Sequence, residues 1–108
     1  MVNGAELFRH LTPYYHLFNG RPSVSLPVCF ETFPQAVACT LAGRILSARH
    51  KRTNRRRLLR QAGVSLGSLI TIDQVDAALC ALTAHHILRG AFRTYGDATE
   101  GFIIVPDV

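Results

Sequence analysis

The sequence predicts an α/β fold: several helices packed on a few short strands, with a β-hairpin at the C-terminus. Three stretches carry that expectation. Residues 71–90, TIDQVDAALCALTAHHILRG, read as a helix with both ends marked. Residues 24–33, VSLPVCFETF, alternate like a strand. Residues 91–105 hold two β-prone runs punctuated by Gly96-Asp97 and Glu100-Gly101. At 108 residues there is room for one domain, 1–108, with a single modest core.

Taken in order, residues 3–11, NGAELFRHL, suit a short helix capped by Asn3, with Leu7, Phe8 and Leu11 turned inward. Thr12-Pro13 breaks it, and the aromatic, turn-rich YYHLFNGRPS that follows reads as an irregular packed segment. Pro27 has no amide hydrogen to give a ladder, so the pairing part of the next strand is expected from Val28 to Thr32. Pro34 suits the first position of a helix whose inward face is Val37, Leu41 and Ile45, with Gly43 leaving its end open. Thr53 can cap a second helix that buries Leu58, Leu59 and Ala62 and stops at Gly63. In the helix at 71–90, Thr71 and Gln74 have capping-box spacing, Ile70 and Val75 the spacing of a hydrophobic staple, and Gly90 suits a left-handed stop. Apolar residues run almost all the way round that helix, which predicts burial on most sides.

No apolar run is long enough to span a membrane, and the first ten residues lack the apolar core of a secretory signal. A cytoplasmic protein without membrane partners is the expectation. Cys29, Cys39 and Cys80 are odd in number and lack metal spacing, so they read as small buried hydrophobes. The net charge of +5 is concentrated in one segment that has no acid between Thr32 and Ile72. Within it, Arg49, Lys51, Arg52, Arg55, Arg56, Arg57 and Arg60 are the candidate nucleic-acid contacts, because the guanidinium fork matches phosphate geometry. An ordinary solvated basic face is the plainer account of the same run.

Three acids fall where the pattern predicts burial or near burial: Glu31 on the strand, and Asp73 and Asp76 near the start of the helix at 71–90. Carboxylates on a strand and a facing helix can hold Mg²⁺ or Mn²⁺, which prefer oxygen ligands, and a pair of such ions supports phosphodiester cleavage. Asp73 is also explained by the helix dipole alone, whereas Asp76, a turn deeper, is not.

FETFPQAVACTLAG at 30–43, KRTNRRRLLRQAG at 51–63, DQVDAALCALTAHHILRG at 73–90 and TYGDATEGFIIVP at 94–106 resemble, in order, the C-terminal half of the DUF429 family, expected nucleases of the ribonuclease H-like superfamily. The resemblance implies a truncated ribonuclease H-like fold, with helices on a small mixed sheet, and metal-dependent phosphodiester chemistry. It places Glu31 as the strand ligand, Asp76 as the helix ligand and Asp73 as an accessory, so that all three are candidate catalytic and metal residues. The family's opening glycine-aspartate strand has no counterpart in residues 1–29. That departure implies an incomplete site and an open sheet edge, covered by a second copy, by another chain or by the aromatic N-terminal segment. Two functions follow: a metal-dependent nuclease, degenerate or incomplete, and a non-catalytic module that binds nucleic acid or protein and dimerises through the sheet edge.

Overall fold

A computed structural model describes residues 4–11, 14–18, 20, 27–97 and 99–108. The elements are α1 (Gly4–Leu11), β1 (His16–Leu17), β2 (Val28–Cys29), α2 (Pro34–Ala42), α3 (Lys51–Gln61), α4 (Ile72–Leu88), β3 (Phe92–Asp97) and β4 (Gly101–Pro106). The fold is mixed α/β, with four helices and two small sheets among the described residues. β1 and β2 pair in parallel, His16 opposite Val28, while β3 and β4 form the expected antiparallel hairpin, Phe92 opposite Pro106. One parallel bridge, Glu31 to Ile103, ties the two sheets together, with the Ile104 amide donating to the Glu31 carbonyl at 2.9 Å.

α4 is the element the core is built on. Its start is the expected capping box: the Gln74 amide donates to Thr71 Oγ1 at 3.1 Å and the Thr71 amide donates to Gln74 Oε1 at 3.1 Å. One face of α4, Val75 and Leu79, joins Val37 of α2, Leu59 of α3, Leu66 and Val105 of β4 in the main cluster. A second cluster, Ala38, Leu46 and Leu58, closes the space between α2 and α3.

Several local expectations are corrected by packing. α4 is not buried on most sides. Ala77, Ala81 and Leu88 are exposed together with Asp73, Gln74 and His85, so its outer face mixes apolar and polar residues. Ile70, placed for a staple, is mostly exposed, and its amide instead donates to Gln74 Oε1 at 2.9 Å. α2 stops early because Gly43 takes the left-handed conformation, φ 71°, and donates back to the Thr40 carbonyl, which leaves Ile45 outside the helix and 92% exposed. α3 begins two residues before Thr53, after His50 at φ 56°, and Ala62 is exposed. In α1, Leu7 is exposed, and the cap expected of Asn3 lies outside the described residues.

The strand at 24–33 is shorter than expected: its described part is Val28–Cys29 followed by the single bridge at Glu31. The open edge expected beside it is covered by this chain's own aromatic segment. His16–Leu17 pairs with it, and Phe18, buried, meets Phe92 edge-to-face at 5.2 Å. Among the described strands two edges stay unpaired, that of the two-residue β1 and that of β3, whose residues after Phe92 are exposed.

Candidate functional site

α3 carries the chemistry because two different faces of it do two different things. Leu58 and Leu59 bury its inner side, which fixes the rotation of the helix and turns Arg52, Arg56, Arg57 and Arg60 to one outer side. These four, with Thr53 and Ile70, line a shallow depression of about 410 Å³. The three ion pairs of the described residues are Glu6–Arg9, Asp76–Arg55 and Asp107–Arg93, so none of the four is neutralised by a carboxylate. Arg56 Nη1 is buried and has no hydrogen-bond partner, a costly condition for a charged donor. The helix also begins without an acid in its first turn and without a side-chain cap. Lys51 and Arg52 therefore sit at the positive end of the helix dipole, an arrangement that an anion would relieve. Arg49 and Lys51 are exposed just before and at the start of the helix, outside the lining of the depression.

Arg55 departs from this face. It is 6% exposed, and its guanidinium donates from Nη1 to Asp76 Oδ1 at 2.6 Å and from Nη2 to Gln35 Oε1 at 2.8 Å. Gln35 in turn donates from Nε2 to the Leu46 carbonyl at 2.8 Å, so α2, α3, α4 and the loop after α2 meet at one polar knot. Sequence reasoning grouped Arg55 with the phosphate contacts. The signal that separates it is helical phase: it lies three residues before Leu58 and four before Leu59, on the side those leucines bury. Gln35 was missed altogether, since a glutamine at the second position of a helix carries no distinguishing pattern.

The knot also lines an open groove of about 550 Å³ whose other lining residues, Phe33, Pro34, Ala36 and Cys39, are mostly apolar. Phe33, the residue before α2, is 53% exposed. The Cys80 thiol, one turn after Asp76, is pushed above its ordinary pKa first by burial and then by the Asp76 charge.

The three carboxylates expected to share a metal have different surroundings. Asp73 is exposed in the first turn of α4, Asp76 is half-buried and bound to Arg55, and Glu31 is half-buried and joined to β4 through its backbone. Among the described residues, no group of three or more His, Cys, Asp or Glu side chains is placed to hold a metal ion. In this arrangement the cation that Asp76 faces is the Arg55 guanidinium. No helix among the described residues is long and apolar enough to cross a membrane.

The family model described as "Protein of unknown function (DUF429)" matches residues 1–100. The match therefore reaches into the N-terminal segment, beyond the motifs at 30–106 that carried the resemblance. Comparison with curated proteins and with solved structures gives no match.

Proposed function

The chain belongs to the DUF429 family, and from its geometry we propose that it binds nucleic acid through the cationic face of α3. One observation supports this most directly: four arginines line a single depression, none of them neutralised by an acid among the described residues. An orphaned Arg56 donor and a helix start free of acids add to it, since phosphate oxygens would satisfy both. Arg52, Arg56, Arg57 and Arg60 make the contacts, Arg49 and Lys51 extend the positive field, and Arg55 holds the helix in place. Binding of this kind releases counterions. A duplex oligonucleotide is expected to bind with a log–log salt slope of about −3 to −4, for four phosphates neutralised at roughly −0.9 each. Replacing Arg56, Arg57 and Arg60 by Ala should flatten that slope by about 3. An unchanged slope in the triple variant refutes the proposal.

A second reading, the Mg²⁺- or Mn²⁺-dependent nuclease, is favoured by the family resemblance and by Asp76 standing in the wall of the groove. It requires Asp76 to exchange Arg55 for a metal, with Glu31 and Asp73 as further ligands. Under it, millimolar Mn²⁺ raises the melting temperature and supports cleavage, and Asp76→Ala abolishes both effects. A protein whose stability is unmoved by the metal eliminates it. The homodimer expected from an open sheet edge would form on the longer free edge, that of β3, and sedimentation equilibrium decides it: a monomer at high micromolar concentration removes that partner.

A further inference from the structure

The groove beside α3 has a composition that the phosphate-binding face does not explain. Its lining is apolar except for Gln35, Arg55 and Asp76, and the ring of Phe33 in that lining is half-exposed. At about 550 Å³ it lies within the range of small-ligand pockets, roughly 300–1,000 Å³. Asp76 in its lining disfavours a phosphate there and favours a neutral ligand with N–H groups at its edge. A carboxylate has about four lone-pair positions, and Arg55 takes one of them. Because Arg55, Asp76 and Gln35 already hold one another, an edge-on ligand would meet donors and acceptors that need no reordering.

Continuity with α3 identifies the occupant. Arg55 and Arg56 are consecutive residues: the first lines the groove and the second lines the cationic depression. They are turned by about 100° around the helix at nearly the same height. A polynucleotide whose backbone lies along the arginines therefore has the groove at its side, within the same helical turn. Bases stacked inside a duplex cannot turn into such a groove, whereas an unpaired base can.

We propose that the groove between Phe33 and the Arg55–Asp76–Gln35 knot takes an unpaired nucleobase, stacked on Phe33, so that the ligand class of this chain is single-stranded nucleic acid. The inference rests on the phosphate-binding reading of α3 and adds the base site to it.

Fluorescence anisotropy of the full chain with labelled oligo-dC, oligo-dT and a mixed-sequence duplex of equal length, at one salt concentration, tests it. Single strands are expected to bind more tightly than the duplex. Phe33→Ala should weaken single-strand binding about tenfold, the effect of one lost stacking contact, and leave duplex binding unchanged. Phe33→Trp should restore the single-strand affinity. The phenylalanine is exposed, so an unchanged melting temperature verifies that both variants fold. Wild-type affinity of Phe33→Ala for single strands, or an equal loss for single strands and duplex, overturns the base site. Unchanged binding by the Arg56, Arg57 and Arg60 triple variant overturns the α3 reading instead, so the two failures are distinguishable.

Discussion

Replacing Asp76 by Ala is the perturbation that most directly probes the architecture around Arg55. In the folded chain the Arg55 side chain is 7% exposed and that of Asp76 27%, with 2.6 Å between Nη1 and Oδ1. Removing the carboxylate strands a charged guanidinium that already has an unpartnered Nε and retains Gln35 as its remaining acceptor among the described residues. Removing one partner of a buried pair costs about 3–5 kcal/mol. Because Asp76 is partly open to water, which can re-solvate the vacated position, the lower figure of about 3 kcal/mol applies. For a domain of this size each kcal/mol shifts the melting point by at least about 4 °C, so a fall of about 12 °C or more is expected. Urea denaturation in the presence of EDTA measures the loss directly and separates it from any metal effect. The double variant Arg55→Met, Asp76→Leu should recover most of the loss, since an apolar pair of similar volume has no charge left to solvate. An Asp76→Ala protein within about 0.5 kcal/mol of wild type, the scale of an exposed ion pair, would refute the assignment of Asp76 as the counter-ion that holds α3 against α4.

Three further outcomes follow from single features. Thr71→Ala removes the acceptor for the Gln74 amide at the start of α4, and a loss of about 1 kcal/mol by urea denaturation is expected. Gly96→Ala places a Cβ against the carbonyl of Gly101 at a φ of 108°, so a loss of about 1–3 kcal/mol from the backbone alone is expected, with the pairing of β3 and β4 disturbed in amide exchange. The Cys80 thiol, raised above 9.0 by burial and then by Asp76, should alkylate at pH 8.5 more slowly than free cysteine, and Asp76→Asn should speed it without reaching the free rate. Because the folded pKa is the higher one, the stability contributed by the protonated Cys80 thiol is complete below 9.0 and is lost as pH rises beyond it.

Local chemistry explains which elements were legible. The capping box of α4, Pro34 at the start of α2 and the glycines around the hairpin act over three or four residues, so their consequences can be read without knowing the fold. The parallel pairing of His16–Leu17 with Val28–Cys29 was not legible. Two residues carry too little alternation to announce a strand, and each partner lies twelve residues away. The end of α2 is likewise not written in the sequence, because glycine is also tolerated inside a helix at modest cost, and it is the left-handed conformation of Gly43 that stops it.

For the candidate site, the sequence by itself determined the charge segregation. Eight basic residues and no acid between Thr32 and Ile72 leave an electrostatic imbalance that no folding of that segment alone can neutralise. Only the tertiary structure decided which of those charges face solvent. Arg55 and Arg56 are adjacent and chemically identical, yet one is folded against Asp76 and Gln35 while the other lines an open depression. The physical reason is the phase of α3. Leu58 and Leu59 must be buried against α2 and α4, that requirement fixes the rotation of the helix, and the rotation brings Arg55 to the half-buried carboxylate of Asp76.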